Sequence, residues 1–322
     1  MTEYTFEKTT FQTINQGYNA VFKPNRLSLG VVIPIESYAT SSVPTMRQHL
    51  ERVQLVEALG FAAVWLRDVP FNVPSFGDAG QLFAPFVYLG FLAARTTKIA
   101  LGVASIILPL RHPAHVAKAA ASADVLSDGR LILGVASGDR PQEYPALNHT
   151  FENRGAQFRA AFDYIRHMAD DTPVFDNPYG SLRGGLDMLP KPTTNKLPLL
   201  ITGGSQQDNT WIAQHGDGWM LYPHHPSQQA QIIRDWQARV TAAARPPQPI
   251  MQPLYIDLAD DPDSPAQAIH LGFRSGLNPL REYLNALQDI GVNHVALNLR
   301  FNQADTKATL VHLADALLPD FH

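Results

Sequence analysis

Three short stretches bring together residue types that could cradle a flat, anionic ligand. An apolar run beginning at Leu101 reaches the small residues Ala104 and Ser105 before Pro109 and Pro113. Small side chains at a strand end let a planar ring lie against the backbone. They are equally consistent with a packed strand and an ordinary turn. Ser137 and Gly138 follow a second apolar run, Leu131 to Ala136. They offer a hydroxyl and an unobstructed amide to a phosphate or a sugar-alcohol chain, or simply a turn. Gly203, Gly204 and Ser205 stand between a strand-like and a helix-like segment. Consecutive glycines let backbone N–H groups converge on an anion, and a helix N-terminus behind them adds its dipole.

Other polar residues could join such a site. Arg67 and Asp68 end the apolar run Ala62 to Leu66 and could supply catalytic polarity or pair with each other. Tyr144 and His149 follow Ser137-Gly138, where the tyrosine could border a ring and the histidine could reach it. Arg154 opens a helical stretch, and its planar fork suits a phosphate or a surface carboxylate. His112 is expected to cap a helix. His224 and His225 are adjacent and so point apart, which makes them a poor metal pair, and no metal site is expected. The chain has no cysteine, so thiolate catalysis and disulfides are excluded. No nucleophile triad, phosphate-binding Walker loop or carboxylate pair stands out.

The elements that must position these residues alternate in type. Strand-like runs are read at Leu27–Ile35, 62–66, 99–108, 131–136, 199–202, 218–222, 251–258 and 294–298. Helical spacing lies between them, as in Met46, Leu50, Val53, Val56 and Leu59, with Gly60 as the stop. The strands are continuously apolar, as expected when both faces are covered. About eight strand–helix pairs predict an α/β fold, a single (β/α)₈ TIM barrel over residues 1–322. Residues 1–26 read as an arm on the outside of the core. The proline- and glycine-rich stretch 170–198 reads as an insertion after the fourth unit, with a short hairpin in it, forming a lid or border of the pocket.

The chain has 322 residues with 25 Lys and Arg against 29 Asp and Glu, a formal charge of -4. That balance gives no basic footprint for nucleic acid and no polybasic membrane patch. No apolar run is long enough to span a bilayer. Residues 1–10 lack the pattern of an export signal, and a cytoplasmic location is expected.

Taken in order, Phe61 to Asp68, Gly102 to Pro113, Leu126 to Arg130, Leu133 to Gly138, Gly203 to Ser205 and Gly216 to Trp219 resemble the bacterial luciferase-like monooxygenase family. The resemblance runs over roughly residues 27 to 300. It implies a (β/α)₈ barrel, commonly dimeric, that binds FMN or a deazaflavin at the C-terminal strand ends. It further implies a cis peptide at Ala104–Ser105 beneath the ring, contacts to phosphate or ribityl chain from Ser137 and Gly138, and a phosphate loop at Gly203, Gly204 and Ser205. The activity implied is that of an FMN-dependent oxidoreductase, a two-component monooxygenase supplied by a separate flavin reductase. Deazaflavin hydride transfer and non-catalytic flavin binding are the alternatives. The family often carries a histidine after the acidic residue at the second strand end. Here Val69 follows Asp68.

Overall fold

The computed structural model describes residues 10–322. Eight parallel strands close on themselves: β1 (Ser28–Val32), β2 (Ala63–Leu66), β3 (Ala100–Ile107), β4 (Leu131–Ala136), β7 (Leu199–Thr202), β8 (Gly218–Met220), β9 (Ile250–Leu258) and β12 (His294–Asn298). Each pairs in parallel with the next, and β12 returns to β1 through Ser28↔His294. This is the expected (β/α)₈ barrel. The helices that cover it are α2 (His49–Leu59), α3 (Pro85–Ala93), α4 (Pro113–Leu126), α6 (Arg154–His167), α7 (Asn209–His215), α8 (Pro226–Ala242), α9 (Leu277–Asp289) and α10 (Thr306–Leu317). A short helix, α5 (Glu143–Ala146), lies in the loop after β4.

Local chemistry explains most boundaries. α2 starts later than its apolar spacing suggests, because Met46 and Gln48 both take left-handed backbone angles. It stops where Gly60 turns left-handed. His112 caps α4 through its Nδ1, with Pro113 at the first helical position. Asp208 and Asp305 cap α7 and α10 with their carboxylates. Along α9, Leu277, Leu280, Leu284 and Leu287 form the buried stripe.

The barrel interior is filled by stacked inward side chains, of which Trp65 is the bulkiest. Inward positions include Val32, Ala63, Trp65, Ala100, Ile132, Leu200, Met220, Met251 and Ala296. Trp65 donates from its indole nitrogen to His294 Nε2 at 2.8 Å, and His294 Nδ1 meets Ser28 Oγ at 2.7 Å. Room for the tryptophan comes from Gly102, where a Cβ would sit 2.3 Å from the Trp65 ring.

Two expectations about the periphery change. The arm does not lie outside the core. Residues 10–22 include the helix α1 (Gln16–Val21), and Ile14, Tyr18, Val21 and Phe22 join the interior cluster at the N-terminal end of the strands. Asn15 and Tyr18 hold it there by bonds to Asp124, the Leu131 carbonyl and the Asp217 carbonyl. Residues 1–9 of the expected arm lie outside the described residues.

The insertion does contain the expected hairpin, β5 (Val174–Asn177) and β6 (Gly180–Arg183). Its two ends are not at the mouth, and only its hairpin approaches the rim. It follows a helix, so it begins at the end of the barrel opposite the strand C-termini. Thr193 bonds Asp124 there, and Lys196 pairs with Asp217. The hairpin then climbs the outer wall, with Asn177 on the Ala160 carbonyl and Tyr179 edge-on to His112. A second hairpin, β10 (Gln267–Ile269) with β11 (Gly272–Ser275), extends β9 beyond the barrel.

Candidate functional site

The C-terminal strand ends form a mouth with two unlike walls. One wall is the arc of β3, β4 and β7, which are consecutive in the barrel. In β3 the pairing with β4 slips between Val103 and Ile106, so Ala104 and Ser105 together oppose Gly134. Such a bulge re-aims side chains where a strand meets a site. The Ala104–Ser105 peptide is cis. The Ser105 hydroxyl reaches Thr202 at the end of β7 and lies 3.8 Å from Met220 Sδ.

Next along the arc, Gly138 takes φ of +78°, and a Cβ there would lie 2.7 Å from Ile107 and 3.0 Å from the Tyr144 hydroxyl. Tyr144 itself is fully buried, with its hydroxyl bonded to the Ser137 carbonyl and its ring edge-on to Phe151. It therefore supports the Ser137–Gly138 turn from behind instead of bordering the open mouth. His149 is half-buried, and its amide bonds the Tyr144 carbonyl.

After β7 the backbone turns left-handed at Gly203, Ser205 and Gln206. The amides of Gly204, Ser205 and Gln206 have no acceptor among the described residues. Successive free N–H groups in such a turn make an anion-binding concavity. A Cβ on Gly203 would meet nothing within 4 Å, so the turn faces open space. The Ser205 hydroxyl bonds back to the Thr202 carbonyl and steadies the turn. The start of α6 abuts it: a Cβ on Gly155 would sit 2.8 Å from Gln206, and Gln207 bonds the Gly155 carbonyl. Arg154, beside Gly155, lies over the Phe151 ring at 3.7 Å, and its Nε is buried without a partner among the described residues.

The other wall is aromatic and cationic. Strand alternation sends Ala63 and Trp65 inward, and Arg67 occupies the next inward position, above the tryptophan. The same alternation carries Met220 to Tyr222 and Met251 to Tyr255. Arg67 and Asp68 do not pair with each other. Arg67 bonds Asp78 at 2.6 Å, and Asp78 also takes Arg300 at 3.0 Å and the Tyr38 hydroxyl at 3.2 Å. Burial opposes ionisation of Asp78, but the two arginines hold its carboxyl below the usual range. Asp68 takes Arg111 through two bonds, 2.6 and 3.0 Å, and also the Ile107 amide. It thus clamps the end of β3 instead of facing the mouth. Near them, burial pushes Glu143 up to about 7 against the pull of Arg140, which is 3.8 Å away.

Asp78, Arg300, Tyr255 and Arg140 were not legible as site residues. They lie in irregular loops or at a late strand, with no motif around them. Tyr255 lies within β9, and only counting the two-residue alternation on from Met251 would have placed it inward. Among the described residues no group of three or more histidines or carboxylates could hold a metal ion, and no helix is long and apolar enough to cross a membrane.

Known proteins share this architecture. An F420-dependent hydroxymycolic acid dehydrogenase of Mycobacterium tuberculosis is 26% identical over 70% of this chain and 61% of its own length. The alkanal monooxygenase beta chain of Photorhabdus luminescens is 31% identical over 44% of each chain. The chain thus spans less than two thirds of either relative. The oxygenating constituent of 3,6-diketocamphane monooxygenase from Pseudomonas putida, solved with FMN, superposes with a TM-score of 0.72 at 11% identity, over 92% of this chain and 99% of that one. The luciferase-like monooxygenase profile matches residues 27–314, and the chain belongs to that family.

Proposed function

We propose that the chain is an FMN-dependent oxidoreductase, a monooxygenase of the two-component kind that receives reduced FMN from a separate reductase. The observation that carries this reading is the turn of free amides at Gly204, Ser205 and Gln206, braced on Gly155 and next to Arg154. It suits a phosphate, and it lies on the same arc as Ser137, Gly138 and the small floor at Ala104 and Ser105.

When bound, reduced FMN supplies the two electrons with which one atom of O₂ enters the substrate and the other leaves as water. The chain's own residues bind, orient and shield. The nest and Arg154 hold the phosphate end. Ser137 and Gly138 receive the ribityl chain, with Tyr144 fixing their turn. Ala104 and Ser105 form the floor for the ring. Trp65 closes the barrel below that floor and keeps water from reaching it through the core. The exposed apolar face of α3, with Val87 74% and Phe91 40% exposed, supports a homodimer.

The relative named for F420 favours a second reading, deazaflavin hydride transfer, because the same nest and floor accept the phosphate and ring of either cofactor. Equilibrium titration of the purified chain with FMN and with deazaflavin separates the two. The expected outcome is a stoichiometric FMN complex that weakens on substituting Gly204 with Val. Binding of neither cofactor disproves the proposal, and binding of deazaflavin alone selects the second reading.

A further inference from the structure

The side of the mouth that adjoins the proposed flavin arc at β2 carries more positive charge than its own structure uses. Arg67 stands in the barrel's inward register, directly above Trp65. Among the described residues only its Nη1 has an acceptor, Asp78. Its remaining N–H groups are open to the mouth, and its side chain is 18% exposed. Asp78 cannot neutralise it alone, since the same carboxylate also serves Arg300. Two guanidinium groups thus share one carboxylate. The third arginine nearby, Arg140, donates to the Asp78 carbonyl and not to its carboxylate. The other carboxylates do not remove the surplus at Arg67. Asp68 is taken by Arg111, Glu143 stands by Arg140, and Asp139 is exposed near Tyr222.

Tyr255 completes the wall. Its residue is 7% exposed, and its hydroxyl makes no hydrogen bond among the described residues. It lies close enough to Arg67 to feel its charge. Tyr255 on β9 and Arg67 at the end of β2 face the same mouth, and an open phenol donor and an under-neutralised guanidinium suit an oxyanion set between them. The phosphate-holding residues proposed above are the turn after β7 and the start of α6, three strands round the barrel from β2, so these donors are left for a second anion.

We infer that this wall recognises a carboxylate, or an oxyanion of like shape, on the substrate, with Arg67 as the specificity-determining residue. That the ligand is a substrate rests on the flavin reading; the anion site itself does not. Val69 gains a meaning from the same wall. With a valine beside it and charge at Arg67, the second strand end selects a ligand by charge where a histidine would offer a proton.

The test uses the purified chain without added cofactor and two matched pairs of probes, benzoate against benzamide and hexanoate against hexanamide, by calorimetry at low salt. The carboxylate of each pair is expected to bind about tenfold or more tightly than its amide, as for hydrogen bonds to a charged group. Arg67→Met should abolish that preference, Arg67→Lys should keep part of it, and Tyr255→Phe should reduce it by about threefold. Equal binding of acid and amide by the unaltered chain overturns the inference, and so does an Arg67→Met variant that keeps the preference. If Arg67→Met melts below the assay temperature, Tyr255→Phe decides: a weakened preference supports the inference and an unchanged one overturns it. FMN and deazaflavin are titrated into the same proteins. A chain that prefers carboxylates but binds neither cofactor upholds the anion wall and rejects the flavin reading. An Arg67→Met variant that loses cofactor affinity while keeping the carboxylate preference assigns Arg67 to the cofactor and overturns the inference.

Discussion

At the scale of single residues, the interior depends on where side chains are missing. Gly102 faces the Trp65 ring, and a Cβ there would approach within 2.3 Å of a group pinned by His294. The ring cannot retreat, because it is fully buried and its nitrogen is bonded to His294. Gly102→Ala is therefore expected to cost about 1–3 kcal/mol by overpacking. Gly90 is the contrast: it lies within α3, and a Cβ there would meet nothing within 4 Å. Gly90→Ala is expected to stabilise by about 0.5–1 kcal/mol through helix propensity. Urea unfolding of the two variants checks both signs. Equal effects would show that space around the glycine is not what decides.

At the scale of elements, the barrel strands were legible because each is a continuous apolar run between helical stretches. β4, β7 and β12 have the very limits that composition suggests. Three things were not legible, each for a physical reason. The left-handed turns at Met46 and Gln48 shorten α2, and no residue type announces them. The insertion's place could be reasoned only from the helix before it, which puts its start at the closed end. The arm looked polar, yet its few aromatic and aliphatic residues are the ones that bury. At the site, the small and glycine-rich stretches were visible as composition, whereas the Arg67–Asp78–Arg300 cluster joins loops far apart in sequence. The arm's role has a direct consequence. Tyr18 is 1% exposed and bonds the Asp217 carbonyl, so Tyr18→Ala should cost about 3 kcal/mol or more, read by denaturant unfolding. A loss under about 1 kcal/mol would mean that α1 merely rests on the barrel.

At the scale of the whole molecule, stability should depend on pH through two buried groups of opposite sign. His294 is fully buried, and its desolvation lowers it to about 3. It is neutral in the fold and becomes charged on unfolding once the pH drops below about 6.5, so the unfolded chain binds the extra proton. Its contribution is present above that pH and is lost as pH falls toward 3, with a slope of up to about 1.4 kcal/mol per pH unit. Glu143, raised to about 7 by burial, acts the other way. Its contribution is present below the ordinary carboxylate range and is lost as pH rises through 7. Between about pH 4.5 and 6.5 the two slopes oppose each other. Glu143→Gln should remove its opposing slope, so stability should climb more steeply with pH across that window. Urea midpoints at several pH values test this, and an unchanged slope would exclude Glu143 as a titrating group. The plug formed by Tyr18, Val21 and Phe22 beneath the Trp65 layer bears on traffic as well as on stability. A barrel stoppered at one end has a single doorway. Whatever settles on the floor at Ala104 and Ser105 and anything held at Arg67, which stands level with that floor on the neighbouring strand, must pass through the same opening, so the traffic of one ligand bears on the traffic of the other.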